Sequence, residues 1–243
     1  MSPLDFARVV LGFHPDEAQA GVLEKAPSVK EIKLNCSRQW GKSTVAAVLA
    51  AYRLVMEAGV TILIVGPAGR QSGETLRKVG QFLGVLGIRT RGDRVNAGAM
   101  VLPNGSRIVA LPGVEGTTRG FSAVSMLIVE EAARVEDAVY LALLPSVAVT
   151  DGDVILLSTP KGRRGFFYRE VAAGNTADSL VHTGPVTECK RISEAFLAKQ
   201  REKGEAYYRQ EFLCEFVETG RFLMDESLIK GMVKKNEVAW NDL

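Results

Sequence analysis

Residues 36–44 read Cys36-Ser37-Arg38-Gln39-Trp40-Gly41-Lys42-Ser43-Thr44, and the fold turns on how this stretch is read. A strand-like run, Ile32 to Leu34, leads in, and a helix-forming run, Val45 to Met56, leads out. Strand, short loop and helix in that order make the setting of a phosphate-binding loop. Gly41 lets the backbone approach phosphate oxygens with no Cβ in the way. Lys42 is long enough to reach the β- and γ-phosphates, and the Ser43 hydroxyl suits Mg²⁺. Ser37, Arg38, Gln39, Trp40 and Thr44 complete the candidate cradle, and N–H groups at the helix start add a partial positive charge. The usual G-x-x-x-x-G-K-[ST] spacing wants glycine at position 36, where the chain has Cys36, and Arg38 is bulky for a tight loop. A chance Gly-Lys-Ser at a helix start would look the same locally.

The 243 residues suit one large α/β domain, or a domain with a small appendage. With 47% hydrophobic and 24% charged residues the chain falls in the core-forming class. A net charge of +2 makes no case for a polyanion-binding chain, so any nucleic-acid surface must be a local patch. Cys36, Cys189 and Cys214 lack the spacing of a disulfide framework or a zinc site and fit a reducing cytosol. The longest apolar stretch, 45–65, is broken by Arg53, Glu57 and Gly59, so no membrane span and no membrane partner are expected. The first residues lack a signal-peptide layout.

Short apolar runs predict strands over 32–35, 61–65, 107–111, 124–129 and 154–157. Helical patterns fall between most of them, at 43–58, 72–86 and 136–144, which predicts βαβ units and a mainly parallel sheet flanked by helices. Near residues 99–111 two short strands flank Pro103-Asn104-Gly105-Ser106, and Asn-Gly predicts a hairpin, hence a local antiparallel insertion. Composition shifts at Gly184-Pro185; two charged helical patterns follow, at 193–203 and 205–216, with a further turn or two near 224–232.

The predicted strand 124–129 runs into Glu130-Glu131. Ligands of parallel α/β sheets sit at the carboxyl ends of strands, where both this pair and the phosphate loop belong. Glu130 is read as a Mg²⁺ ligand, direct or through water, one methylene longer than the usual Asp. Glu131 is read as the carboxylate that polarises the attacking water. Solvated acids at a strand end are the plainer alternative. Another buried strand ends in Ser158-Thr159-Pro160-Lys161-Gly162, whose hydroxyls suit a γ-phosphate sensor or an ordinary turn. His14-Pro15-Asp16-Glu17-Ala18-Gln19 opens a helix, and Gln19 has the donors and acceptor to read an adenine edge.

Together these residues resemble the ATPase domain of a tailed-bacteriophage or prophage large terminase. The resemblance covers roughly residues 5–225. It rests on Ser37-Arg38-Gln39-Trp40-Gly41-Lys42-Ser43-Thr44, Val129-Glu130-Glu131-Ala132-Ala133, Ser158-Thr159-Pro160-Lys161-Gly162 with Phe166-Phe167-Tyr168, and Tyr208-Arg209-Gln210-Glu211-Phe212 with Glu215-Phe216. It implies a P-loop NTPase of the additional-strand, catalytic-glutamate class. The core would span 1–185, a small helical lid 186–222, and a tail 223–243 would lead toward a nuclease domain. It further implies ATP and Mg²⁺ as ligands, and double-stranded DNA, a portal protein and a small terminase subunit as partners. The working assembly would be a ring, commonly a pentamer, in the cytoplasm of a bacterial host. Ser158, Thr159 and Pro160 would be the motif coupling hydrolysis to movement. After Gly220 only 23 residues remain, with Asp225, Glu226 and Glu237 among them, so no DNA cleavage by this sequence is expected.

Two arginines compete to complete the site. Arg38 lies in the loop and can act on its own nucleotide. Arg119 precedes a strand whose six or seven residues span about 20 Å. That separation suits donation in trans to a neighbouring subunit, as the family also implies, unless the glycine-rich segment 113–120 doubles back. A surface ion pair would explain Arg119 equally well. Arg163 and Arg164, and Arg89, Arg91 and Arg94, are candidates for DNA or for a solvated face. Two other functions share the motifs: a helicase-like or remodelling ATPase, which needs a second lobe, and a nucleotide-binding assembly factor without turnover. A kinase fits less well beside a water-directing Glu131.

Overall fold

A computed structural model describes residues 1–93, 98–114, 120–189 and 191–218. Arg94, Arg119 and the segment 219–243, including the helical turns expected near 224–232, lie outside the described residues.

Strands β1 (Glu31–Cys36), β2 (Thr61–Gly66), β3 (Ala99–Val101), β4 (Arg107–Pro112), β5 (Met126–Glu130), β6 (Asp153–Ser158) and β7 (Ser179–Gly184) form one sheet in the order β3-β4-β2-β5-β6-β1-β7. All neighbours are parallel except β3 and β4, which pair antiparallel across the expected hairpin. Gly105 takes φ 84°, and Gly105 N–H donates to the Leu102 carbonyl at 3.1 Å, closing that turn. Strand β6 lies between β1 and β5, so the fold is that of the additional-strand P-loop NTPases.

The helices are α1 (Pro3–Asp5), α2 (Glu17–Lys25), α3 (Lys42–Met56), α4 (Gly69–Val85), α5 (Asp137–Leu143), α6 (Gly165–Ala172), α7 (Glu194–Arg201) and α8 (Glu205–Glu211). A π-helical segment, Phe6–Val10, follows α1. Side chains alternate across a strand, and here both faces are covered, which explains the nearly unbroken apolar runs. Ile32, Leu34, Ile62, Ile64, Ile128 and Leu157 share a core with α3 and α4. Leu63, Val65, Leu127, Val129 and Leu156 pack with Tyr140 of α5 and with Phe166 and Phe167 of α6 on the other face. A third, small cluster joins Val186, Cys189, Tyr208 and Phe212.

Several boundaries differ from the sequence expectation. The fifth strand starts at Met126 rather than at 124, because Val124 and Ser125 bond to Ser146 and Thr61 carbonyls before the ladder begins. Strand β7 has no counterpart among the strands the apolar runs predict. Its Ser179, His182 and Thr183 dilute the apolar signal at a sheet edge, and β1 supplies its pairing. Helix α8 stops at Glu211 instead of running to 216, since Cys214 takes φ 60°, which a helix cannot hold. The chain then returns to the sheet: Asn35 Nδ2 donates to the Cys214 carbonyl at 2.9 Å, and the Phe216 ring meets that of Tyr168 at 5.0 Å.

Candidate active site

The carboxyl ends of β1, β5 and β6 lie side by side, with Asn35 registered on Ser158 and Glu130 on Leu157. That register brings Lys42, Glu130, Glu131 and Thr159 to one edge of the sheet. A cleft of about 430 Å³ opens there, lined by Phe13, Gln19, Arg38, Gln39, Gly41, Lys42, Ser43, Thr44, Lys78, Glu131 and Arg191.

The loop explains its own departures from the usual spacing. Cys36 is the last residue of β1, buried, and not in the left-handed region, so glycine is not required there. Two later residues take that region, Gln39 at φ 66° and Gly41 at φ 101°. A Cβ on Gly41 would come within 2.5 Å of Gln19 Nε2. Glycine is thus needed at 41 for the backbone and for Gln19 even before phosphate is considered. Lys42 folds its ammonium onto the loop, donating to the carbonyls of Cys36 at 2.9 Å and Ser37 at 3.0 Å. The Ser37 hydroxyl is fully enclosed and has no hydrogen-bond partner among the described residues.

Gln19 and Trp40 face differently from a ligand-contacting role read off the sequence. Gln19 is buried and Asp16 N-caps α2 in a reciprocal pair with it; Gln19 Nε2 donates to the Trp40 carbonyl at 2.7 Å. Its amide therefore serves the loop in this structure. The Trp40 ring points inward, 1% exposed, and Nε1 donates to Glu188 Oε2 at 2.8 Å. A Cβ on Gly184 would stand 2.4 Å from Trp40 Nε1, so the ring fills that space and leaves only backbone to the cleft. The Thr44 hydroxyl accepts from Lys78 Nζ at 3.3 Å.

Glu130 is buried, accepting from Ser43 Oγ at 3.3 Å and from Thr75 Oγ1. Burial holds its carboxyl above the usual 4.5 in spite of those bonds. Two hard oxygen donors from loop and strand, one of them a buried carboxylate, fit Mg²⁺. No group of three or more His, Cys, Asp or Glu side chains is arranged to hold a metal among the described residues. Glu131 takes φ 48°, a left-handed conformation costing a non-glycine residue about 1–2 kcal/mol, and such strain collects at functional sites. Glu131 Oε2 pairs with Arg134 Nη1 at 2.6 Å, and the same nitrogen donates to Thr159 Oγ1 at 3.1 Å. Ser158 and Thr159 are buried at the end of β6, and Pro160 beyond them is buried as well. Arg38 pairs through Nε with Glu211 Oε2 of α8 at 2.7 Å.

Sequence reasoning missed Phe13, Thr75, Lys78, Arg134, Arg191 and the role of Glu211. Arg191 donates to the Gln39 and Trp40 carbonyls, each at 3.2 Å, from more than 150 residues away. No local pattern marks it. Arg134 stood three residues past Glu131, the spacing of one helical turn, and that was the one readable signal.

The family described as "Terminase large subunit, T4likevirus-type, N-terminal" matches residues 34–231. No curated protein matches the chain. Among solved structures, the large terminase ATPase domain of Thermus phage P74-26 superposes with a TM-score of 0.76 at 22% identity, covering 89% of this chain and 100% of that one. The large terminase of a second thermophilic bacteriophage, in complex with ADP, gives 0.72 at 13%, covering 83% and 54%. The complex of that same terminase with ATP-gamma-S gives 0.68 at 14%, covering 84% and 53%. The HK97 bacteriophage large terminase gives 0.61 at 15%, covering 94% and 49%. The chain thus spans about half the length of these last two terminases.

Proposed function

The chain belongs to the terminase large-subunit family, and from that premise we propose that it hydrolyses ATP in the cleft beneath Gly41-Lys42-Ser43, driving double-stranded DNA into a procapsid. Lys42 and Arg38 meet the phosphates, and the N–H groups at the start of α3 cradle them. Ser43 and Glu130 would hold Mg²⁺, which would supply positive charge against that developing on the phosphates. Glu131 orients and polarises the attacking water, and Thr159 senses the γ-phosphate. Ser158 to Pro160 pass the change to the rest of the molecule, and residues 186–222 act as a lid. Gln19 reads the adenine edge after exchanging its bond to Trp40. Arg119 completes a neighbour's site in a ring, commonly a pentamer. The ring sits on a portal protein with a small terminase subunit, in the host cytoplasm.

The observation that carries this reading is two sets of contacts joined by the peptide bond between Glu130 and Glu131: Ser43 to Glu130 at 3.3 Å, and Arg134 to both Glu131 and Thr159. Three strand ends far apart in sequence meet at one cleft. The thermophilic-phage terminase solved with ADP and with ATP-gamma-S supports a nucleotide there. Family membership sets aside the helicase-like reading. The test is phosphate release by wild type, Glu131→Gln and Lys42→Ala, with binding of a fluorescent ATP analogue measured alongside. Glu131→Gln should lose about 10²-fold or more in kcat while still binding analogue. Lys42→Ala should bind it weakly. Hydrolysis undiminished in Glu131→Gln would remove the assignment.

A further inference from the structure

We propose that Arg134 is a positioning residue through which the lid carboxylate of Glu211 sets the geometry of Glu131 and Thr159; this rests on the hydrolytic reading above. Glu131 sits in left-handed backbone, at φ 48° and ψ 43°, between β5 and a 3-10 turn over Ala132–Arg134. Neither strand nor helix directs its side chain, so something else must. Among the described residues its one ion-pair partner is Arg134, through Oε2 at 2.6 Å. The other carboxylate oxygen makes no hydrogen bond among the described residues and is available to a water.

Arg134 does not act alone. Its Nη1 is shared between Glu131 and Thr159, and its Nη2 lies 3.6 Å from Glu211 Oε1. A guanidinium is planar and rigid, so fixing Nη2 fixes the direction of Nη1. Glu211 is 5% exposed and ends the lid helix α8. Its nearer partner is Arg38 at 2.7 Å, whose side chain is 67% exposed and lines the cleft. A triphosphate in the cleft draws Arg38 away from Glu211. A carboxylate so deeply buried is costly to leave unpaired, so Glu211 closes on Arg134. The sequence of contacts Arg38, Glu211, Arg134, Glu131 therefore transmits loop occupancy and lid position to the catalytic carboxylate. Reacting groups held within a fraction of an ångström differ in rate from loosely held ones by orders of magnitude.

The test combines kinetics with a readout that needs no turnover. Arg134→Ala and Glu211→Gln should each lower kcat by about 10-fold or more, with KM for ATP within about twofold in Arg134→Ala, which touches no substrate. The double variant should be no slower than the slower single one. Arg134→Lys restores a cation without a fork, so it should recover part of the loss, and Glu211→Gln should add nothing on top of it. Losses that multiply, or wild-type kcat in Glu211→Gln, overturn the link. Hydrogen exchange of α8 gives the second arm, in wild type and in Arg134→Lys, with and without ATP-gamma-S. Slowing by the analogue in wild type alone supports the link; equal slowing in both, or none in wild type, overturns it. If wild type releases no phosphate under ring-forming conditions, the hydrolytic reading falls and the exchange arm by itself decides the link.

Discussion

At the scale of single residues the site stores its tension in Glu130. The carboxyl is pushed up by burial, against the pull of hydrogen bonds from Thr75 and Ser43. A carboxyl raised on folding contributes stability that is fully present below its unfolded value and is lost as pH rises through the raised native one. Above the ordinary carboxylate range the buried carboxyl is therefore a liability to the protein, tolerable because a cation would favour its charged form. Glu130→Gln should melt higher than wild type at pH 7 and close to it at pH 4, where both forms are uncharged. Calorimetric melting across that range is the measurement; a variant less stable at both pH values would mean that its bonds to Thr75 and Ser43 outweigh the burial. Cys36 and Cys214 carry the same lesson, for burial raises both thiols, Cys214 to about 12, so neither is a reactive nucleophile.

Among elements, the contrast is between strands that carry their own evidence and segments that do not. β2, β5 and β6 are apolar on both faces and read directly as buried strands. β7 reads as nothing until β1 is beside it. The segment we propose as a lid is held by few large side chains: Phe212 stacks on Tyr208 with centroids 5.2 Å apart and packs with Val186 and Cys189. Truncating a buried aromatic costs about 3–5 kcal/mol, and here the loss falls on a cluster separate from the two sheet cores. Phe212→Ala should therefore abolish exchange protection in α7 and α8 while amides of β1, β5 and β6 keep theirs. Equal loss throughout would mean that lid and sheet unfold as one unit.

For the whole molecule the open question is what completes the site from outside. Charge on a transferring phosphoryl group is spread over its oxygens, and an arginine supplied in trans is worth about 10³–10⁵ in rate. Arg119 is the residue we assign to that task. Arg119→Ala and Glu131→Ala proteins, each inactive alone, should regain part of the hydrolysis when mixed under ring-forming conditions; mixed rings of confirmed composition without recovery would count against donation between subunits. The candidate site was legible in the sequence to the extent that its chemistry is local. Gly41, Lys42 and Ser43 follow a strand and open a helix, and Glu130 and Glu131 end a strand, so spacing placed phosphate, metal and water beside plainer alternatives, a chance Gly-Lys-Ser and solvated strand-end acids. Strand-helix alternation likewise announced a parallel sheet, and Asn104-Gly105 the hairpin. What stayed hidden depends on contacts across roughly 20 to 170 residues of chain: the inward turn of Trp40, the amide of Gln19 spent on the loop, the Arg191 bonds, and the pairing of Glu211 with Arg38 and Arg134. Backbone periodicity and motif spacing are written residue by residue, so a sequence can declare them. Which long side chain pairs with which buried carboxylate is settled only when folding brings distant segments together and forbids either from remaining alone.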